Sequence, residues 1–157
     1  MKHLTDEQFF IDLNGEDDLG AVIRSQLHIE YELDQLLKKQ IPNYSVLDKL
    51  HLDYEIKIVL AIAMELNQNY EKPLKGFGLI RNKFAHEPGF KLTKSDTNNL
   101  YNCFAKEDKE VIQAAFKNTN NKTKTPNNSF KLQDPFDQFI LLAISMRQIL
   151  IQAKTRW

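Results

Sequence analysis

Three polar residues able to do chemistry, an arginine, an asparagine and a histidine, lie close together in residues 77–89, a segment that otherwise reads as a core helix. Arg81 is a permanent cation with a planar set of hydrogen-bond donors, Asn82 carries an amide, and the His86 imidazole titrates near neutral pH. An arginine can stabilise the charge that develops on a phosphate, and a histidine can take up or give a proton. These residue types suit metal-independent phosphoryl transfer on RNA, in which the ribose 2′-OH attacks the adjacent phosphate.

The spacing of these residues limits how they can act together. The apolar residues recur with a helical period: Phe77, Ile80 and Phe84. Pro88 must end this helix, because the residue before a proline is pushed out of the α region. Leu79, Asn82 and His86 share a second face, whereas Arg81 and His86 point about 140° apart on an ideal helix. Either the last turn distorts, or the site combines two copies of the motif across a two-fold axis.

The rest of the chain is also predicted to be helical, because no alternation with a period of two appears. The predicted helices are residues 5–13, 17 or 18 to 40, 46–67, 73–87, 93 or 95 to 104, 106 to 116 or 117, and 134–154. We therefore expect one all-α domain over residues 1–157, a bundle of about six helices. Its 46–67 helix and motif helix should lie at the centre.

Three segments complete this prediction. Residues 1–14 form an N-terminal helix and turn, in which Thr5 is the N-cap and Gln8 completes a capping box. Residues 118–133 are rich in Asn, Thr and Lys, so we expect a mobile polar loop there. Residues 134–155 form the C-terminal helix, which Pro135 opens.

Glu30 is the least ordinary residue outside the motif. The long helix has a predicted buried stripe of Leu19, Ile23, Leu33 and Leu37, and Gln26 and Glu30 fall in the middle of it. A carboxylate on an apolar face needs a partner or a raised pKa. One interpretation is a structural ion pair or an exposed break in the stripe. The other places Glu30 beside Arg81 and His86, where it pairs with Arg81.

The motif resembles the signature of the HEPN superfamily, an all-helical group in which an Arg, often followed by an Asn, precedes a His by four to six residues. Arg81, Asn82 and His86 carry this resemblance. The residues at 29–30, 33–34 and 36–37, which read Ile-Glu, Leu-Asp and Leu-Leu, resemble the early helix of the mannitol operon repressor branch. The resemblance runs over residues 19–87 and again over the last helix.

The resemblance implies an HEPN-like fold and a homodimer with the motif helix near its interface. It also implies a regulatory or defence-related protein that binds RNA and cleaves it as a metal-independent endoribonuclease. His86 would then be the base or acid and Arg81 the phosphate clamp, with Asn82 and Glu30 supporting them. The alternative that it leaves open is a non-catalytic transcriptional regulator acting through protein contacts. From the residues alone, a hydrogen-bond network of Arg81, Asn82 and His86 that ties the helix end to Glu30 is a third possibility.

Composition limits the partners. The 157 residues contain 21 Lys and Arg and 21 Asp and Glu, so net charge gives no general argument for nucleic acid or membrane binding. A local basic patch consists of Lys72, Lys75, Arg81 and Lys83. Lys75 and Lys83 are candidates for RNA phosphate contacts, although a solvated helix face explains them equally well. Without a helix-turn-helix signature, we expect no sequence-specific DNA binding.

Features that the sequence lacks also lead to expectations about cofactors and cellular location. Cys103 is the single cysteine, so we expect no internal disulfide and no metal site. The sequence also lacks a Gly-rich phosphate loop, and no cofactor is expected. The first ten residues lack a continuous apolar region, and the longest apolar runs are too short to span a bilayer. A cytoplasmic protein without membrane contact is therefore expected, with RNA or a regulatory protein as partner.

Overall fold

The chain folds into helices joined by short connections. The computed structural model describes residues 4–123, 130 and 133–156. Its α-helices are α1 (Asp6–Asn14), α2 (Asp18–Gln40), α3 (Tyr54–Ala63), α4 (Glu71–His86), α5 (Lys94–Cys103), α6 (Lys106–Thr123) and α7 (Pro135–Arg156). Two 3-10 segments, Tyr44–Leu50 and Gln68–Tyr70, precede α3 and α4. The predicted all-α class is confirmed, with no strand among the described residues, but these contain seven α-helices rather than about six.

Side-chain caps set the predicted starts of several helices. The Thr5 hydroxyl accepts from the Gln8 backbone N–H at 3.2 Å, and the Gln8 side chain accepts from the Thr5 N–H at 3.1 Å. Asp17 caps α2, and Thr93 and Asp96 form a second capping box at α5. Each cap satisfies backbone donors that a helix start leaves without partners. The predicted starts of α1, α2 and α5 are therefore confirmed.

The predicted helix over residues 46–67 is wrong. A 3-10 segment ends at Leu50, and His51 takes a left-handed backbone conformation with φ 46°. The Asp53 carboxylate then accepts from the Ile56 N–H at 2.9 Å and starts α3, which ends at Ala63. An aspartate favours this cap over a helix interior, so the segment divides where Asp53 stands.

The centre of the bundle also differs from the prediction. α2 and α7 pack along each other and are the most extensively contacting pair of helices, rather than α3 and α4. α3 leaves Ile56 and Val59 exposed, so it is not the most enclosed helix. One hydrophobic core draws on all seven helices, and Phe77 of α4 meets Phe139 of α7 edge-on at 5.7 Å between ring centroids.

The buried face of α2 is rotated relative to the predicted stripe. Leu19 and Ile23 are 48% and 38% exposed. The fully or nearly fully buried residues of α2 are Ala21, Val22, Ser25, Ile29, Glu32, Leu33, Leu36 and Leu37. α2 contacts α1, α3, α4 and α7, so residues on several sides of it are apolar and periodicity alone could not select one stripe.

α6 extends further than predicted. It runs to Thr123, so residues 118–123 are helical rather than part of a mobile loop. Helix propagation adds one hydrogen bond per residue, so a polar segment can continue a helix that is already formed. Residues 124–129 and 131–132 lie outside the described residues, and Phe130 is buried. Within the described ranges, none of the helices combines the length and the apolar character needed to cross a membrane.

Candidate functional site

Two glycines hold α4 close to its neighbours. A Cβ added to Gly76 would lie 2.8 Å from the Leu100 side chain of α5, and one added to Gly78 would lie 3.2 Å from the Tyr54 ring of α3. The Tyr54 hydroxyl also donates to the Leu74 carbonyl of α4 at 2.8 Å. These close approaches fix the position of α4 between α3 and α5, and both depend on the absence of a side chain at the two glycines.

The motif residues lie on the open side of α4. Arg81, Asn82 and His86 are all exposed, and Leu79, about one turn before Asn82, is 63% exposed. Arg81 Nη1 donates to Asn82 Oδ1 at 3.0 Å. The His86 side chain makes no hydrogen bond to any residue in the described part of the chain. The predicted network that ties the helix end to Glu30 is therefore not formed there.

The last turn of α4 bears on how Arg81 and His86, five residues apart, could act together. α4 continues as an α-helix to His86, and Glu87 follows as its C-cap in an extended conformation. A distorted last turn that would bring His86 beside Arg81 is therefore absent from α4. On one copy, the two side chains point in directions about 140° apart. Of the two routes to a shared site that the spacing allowed, the distorted last turn is not seen in α4, and the second copy of the motif stays a prediction.

A cavity of about 400 Å³ opens beside Arg81, between α2, the start of α3 and α4. Its lining residues are Gln26, Glu30, Asp53, Tyr54, Glu55, Lys75, Gly78, Arg81 and Asn82. Four of the residues predicted for the site, Glu30, Lys75, Arg81 and Asn82, are thus brought to one cavity. His86 and Lys83 do not line it. The lining carries three carboxylates against two cationic side chains, so it is slightly acidic.

Glu30 pairs with Lys57, not with Arg81. Lys57 Nζ donates to Glu30 at 2.7 Å and to Asp34 at 3.2 Å, and the Tyr44 hydroxyl donates to Asp34 at 2.9 Å. Burial lowers the pKa of Lys57, but the hydrogen bonds to the two carboxylates outweigh burial and raise it. The predicted Glu30–Arg81 pair is therefore wrong for this chain. Lys57 was visible in the sequence as the one charge in an apolar run.

Both lysines proposed for phosphate contacts already have anionic partners. Lys75 Nζ donates to Glu71 at 2.6 Å, and Lys83 Nζ donates to Asp96 at 2.5 Å while lying 5.5 Å from the Phe90 ring centroid. Burial opposes ionisation of Asp96, but hydrogen bonds from Lys83 and Thr93 outweigh it and lower the pKa of Asp96. The phosphate role of the two lysines stays a prediction, and Lys83 in addition joins α4 to α5.

A second polar cluster, which the sequence reading missed, lies between α1, α2 and α7. We call it the α1–α7 cluster: Asp6, His28, Glu32, Arg147 and Lys154. Arg147 is 1% exposed and donates to Asp6 at 2.7 Å and to the Leu4 carbonyl at 2.5 Å. Glu32, also buried, accepts from Lys154 at 3.0 Å, and Arg147 Nε lies 3.9 Å from it. An arginine inside the apolar stripe of α7 was the available signal.

Comparison with known proteins adds no relative. No family model, no curated protein and no solved structure matches this chain. The geometry of α4 and of its cavity therefore carries the functional argument. Chemically, the open face offers a guanidinium with unused donors, an amide and an imidazole, whereas the cavity offers carboxylate and amide oxygens.

Proposed function

We propose that this chain is an HEPN-like regulatory or defence-related protein, similar to the mannitol operon repressor branch. It binds RNA through the open face of α4 and cleaves RNA as a homodimer, without a metal ion. The observation that carries the proposal is the exposure of Arg81, Asn82 and His86 at one end of α4. Cations and imidazoles held on a rigid helix and left without carboxylate partners are available to a phosphate ligand.

The proposed reaction is attack of a ribose 2′-OH on the adjacent phosphorus. His86 of one copy removes the 2′-OH proton, and Arg81 of the other copy donates to the non-bridging phosphate oxygens as their charge increases. The bond from phosphorus to the 5′-oxygen breaks, and that oxygen takes a proton from an imidazolium or from water. The products are a 2′,3′-cyclic phosphate and a free 5′-hydroxyl, so the reaction needs no metal and no oxidant.

A homodimer supplies the geometry that one copy lacks. Leu79 lies next to the motif residues and is exposed, so it is suited to the apolar centre of a two-fold contact. Packing of two α4 helices around a two-fold axis would bring Arg81 of one copy toward His86 of the other. Sedimentation should then give a dimer at micromolar concentration, and an 18.3 kDa monomer alone would remove the composite site.

RNA cleavage in EDTA tests this function. We expect the wild type to cleave single-stranded RNA with EDTA present, and His86→Ala to reduce the rate by about 10² or more. His51→Ala is the matched control, because His51 is also exposed but lies outside α4. It should cleave at the wild-type rate. Equal loss in both variants, or full cleavage by His86→Ala, would place the chemistry elsewhere.

A second candidate function is a non-catalytic regulator that acts through protein contacts. The acidic lining of the cavity favours it, because Glu30, Asp53 and Glu55 would repel a polyanion that entered there. The exposed apolar side chains of Leu27, Val59 and Leu79 also suit a protein partner. This function predicts that the protein binds no RNA at physiological salt and that His86→Ala leaves its regulatory effect unchanged.

A further inference from the structure

A second cavity, of about 570 Å³, opens between the start of α2, the end of α4, the connection that follows α4 and the start of α7. Its apolar lining residues are Leu19, Phe84, Phe90 and Phe136. Leu19 is 48% exposed, and the three phenylalanine side chains are half-buried. The Phe84 and Phe90 rings meet edge-on, with 4.8 Å between their centroids. The fold therefore leaves an apolar surface open here, of the kind that marks a binding groove.

The charged residues of this cavity are mostly acidic, so we call it the acidic groove. Among the described residues that line it, Lys91 is the one cation. The carboxylates of the lining are Glu16, Asp17, Asp18, Glu87 and Asp134. Negative charges around an apolar surface attract cations and repel polyanions such as RNA. The acidic groove is therefore unsuited to the proposed RNA ligand and suited to a ligand that is both basic and apolar.

Most of this negative charge is not cancelled by the protein itself. Asp17, Asp18 and Asp134 accept from backbone N–H groups at 2.8, 3.0 and 3.2 Å. Such a bond orients a carboxylate but leaves its charge in place. Of the five carboxylates, Glu16 forms a salt bridge, to Arg24, and no salt bridge of the other four is found within the described residues. Four carboxylates therefore remain for a cationic partner.

The exposed apolar surface continues from the acidic groove along α2. Ile23 and Leu27 follow Leu19 at intervals of four residues, and they are 38% and 51% exposed. We call Leu19, Ile23 and Leu27 the exposed row. At a rise of about 1.5 Å per residue, the row is about 12 Å long. This length exceeds what a small organic cation covers, and a row with four-residue spacing is the ridge that packs against a second helix.

We propose that the acidic groove and the exposed row dock a basic amphipathic helix of a protein partner. The apolar face of that helix packs on the exposed row, and one of its large apolar side chains enters the groove against Phe90 and Phe136. Its lysines and arginines pair with carboxylates of the groove. A second copy of this chain is a poor occupant, because a two-fold contact of groove on groove would oppose like charges. The inference goes beyond the RNA function and does not depend on it.

Binding of a designed peptide tests this docking surface. The probe is a fluorescein-labelled helical peptide with leucines at every third or fourth position and lysines on its other face. One control peptide carries glutamate in place of every lysine, and the other carries glutamine in place of every leucine. We expect the wild type to bind the probe roughly tenfold or more tightly than either control peptide, as measured by fluorescence anisotropy at physiological salt.

Two variants, each with a matched control, locate the binding. Glu87→Lys reverses an exposed charge of the groove, and Ile23→Ser removes an exposed apolar side chain from the row. Each should weaken binding of the probe by roughly threefold or more, while circular dichroism shows an unchanged helix content. Glu110→Lys and Val111→Ser make comparable changes at exposed positions of α6, and both should bind the probe as the wild type does.

No RNA is present, so each result tests the docking surface independently of the RNA function. Equal binding of the probe and the glutamine peptide would overturn the proposal, because charge attraction alone would then explain the binding. Full binding by both Glu87→Lys and Ile23→Ser would overturn the assignment to this surface. A wild-type dimer that Ile23→Ser dissociates in sedimentation would show that a second copy covers the exposed row instead. Failure of the wild type to bind the probe would overturn the docking proposal and leave the RNA function standing.

Discussion

The open face of α4 and the α1–α7 cluster use the same residue types in opposite ways. Arg81 is exposed, and it donates a hydrogen bond to the neutral amide of Asn82. Arg147 is buried, lies 5.1 Å from the Phe9 ring centroid, and donates both to a carboxylate and to a backbone carbonyl. One guanidinium is committed to holding helices together, and the other keeps donors available.

The difference shows how a neutral chain can still have a cationic site. Its 21 positive and 21 negative residues cancel overall, but they cancel locally only where ion pairs form. Lys57, Lys75, Lys83, Lys154 and Arg147 all have carboxylate partners within 4 Å. Within the described residues neither Arg81 nor Lys72 of α4 has a salt bridge, and Arg81 is the one that lies beside Asn82 and the cavity, so it is the cation of α4 best placed to meet a phosphate at the motif.

The largest effect is expected from Arg147→Met. This change keeps much of the side-chain volume but removes the donors to the Asp6 carboxylate and the Leu4 carbonyl and one of the two cations near buried Glu32, so the free energy of unfolding should fall by about 2–4 kcal/mol. Urea denaturation measures it. Arg24→Met is the control, because Arg24 pairs with Glu16 at the surface and should change stability by about 1 kcal/mol at most. Similar small losses in both variants would contradict the contrast between buried and open arginines.

Arg81→Ala should reduce RNA cleavage strongly while changing stability little, in contrast to Arg147→Met. We expect RNA cleavage to fall by roughly 10²–10³, because transition-state charge loses its donors, while stability changes by about 0.5 kcal/mol or less. The double variant with His86→Ala should lose little more than either single variant, since both groups serve one step. Single-turnover assays measure the cleavage rate, and urea denaturation measures the free energy of unfolding. Additive losses would indicate that the two residues act in separate steps.

A smaller effect is expected at Glu30. Glu30→Gln should show a coupling free energy of roughly 0.5–3 kcal/mol with Lys57→Met in a double-mutant cycle, because the two side chains lie 2.7 Å apart. The cycle of Glu30→Gln with Arg81→Gln is the control and should give a coupling near zero. A strong coupling to Arg81 instead would restore the pairing that the sequence suggested.

The smallest effect concerns pH. Burial, and then the charge of Arg147, lower the pKa of His28, whose ring lies 4.7 Å from the Phe9 ring centroid and is tilted by 56° from it. Below a pH of about 6.5, His28 of the unfolded chain takes up a proton that the buried imidazole of the folded chain resists. The contribution of His28 to the free energy of unfolding is therefore present above that pH and is lost on acidification. His28→Gln should flatten the fall in unfolding free energy between pH 7 and 5, whereas exposed His51→Gln should not. An unchanged slope in His28→Gln would contradict the buried, neutral histidine.

Local signals predicted much of the fold, and long-range packing accounts for the rest. The caps at Thr5, Asp17 and Thr93 act within three residues, so they could be read directly. The division at Asp53 carried a local signal too, but the apolar run after it favoured one long helix. The rotation of α2 could not be read, because helices on several sides bury its residues.

The site was predicted in part for the same reason. Arg81, Asn82 and Glu30 line one cavity. The spacing within the motif and the resemblance had predicted that these three residues lie near one another. The pairing of Glu30 with Lys57 and the burial of Arg147 depend on which helices lie side by side. Gln26 was noted on the stripe, but only its burial beside an open cavity shows that its oxygen lacks a donor.

The most direct test of the composite site is complementation between two inactive variants. Arg81→Ala and His86→Ala are purified separately, unfolded together, refolded as a mixture and assayed for RNA cleavage in EDTA. If each site takes Arg81 from one copy and His86 from the other, half of the dimers are mixed and each has one intact site. The mixture should then recover about a quarter of the wild-type rate, while each variant alone stays inactive. A mixture that is as inactive as its parents would contradict the shared site.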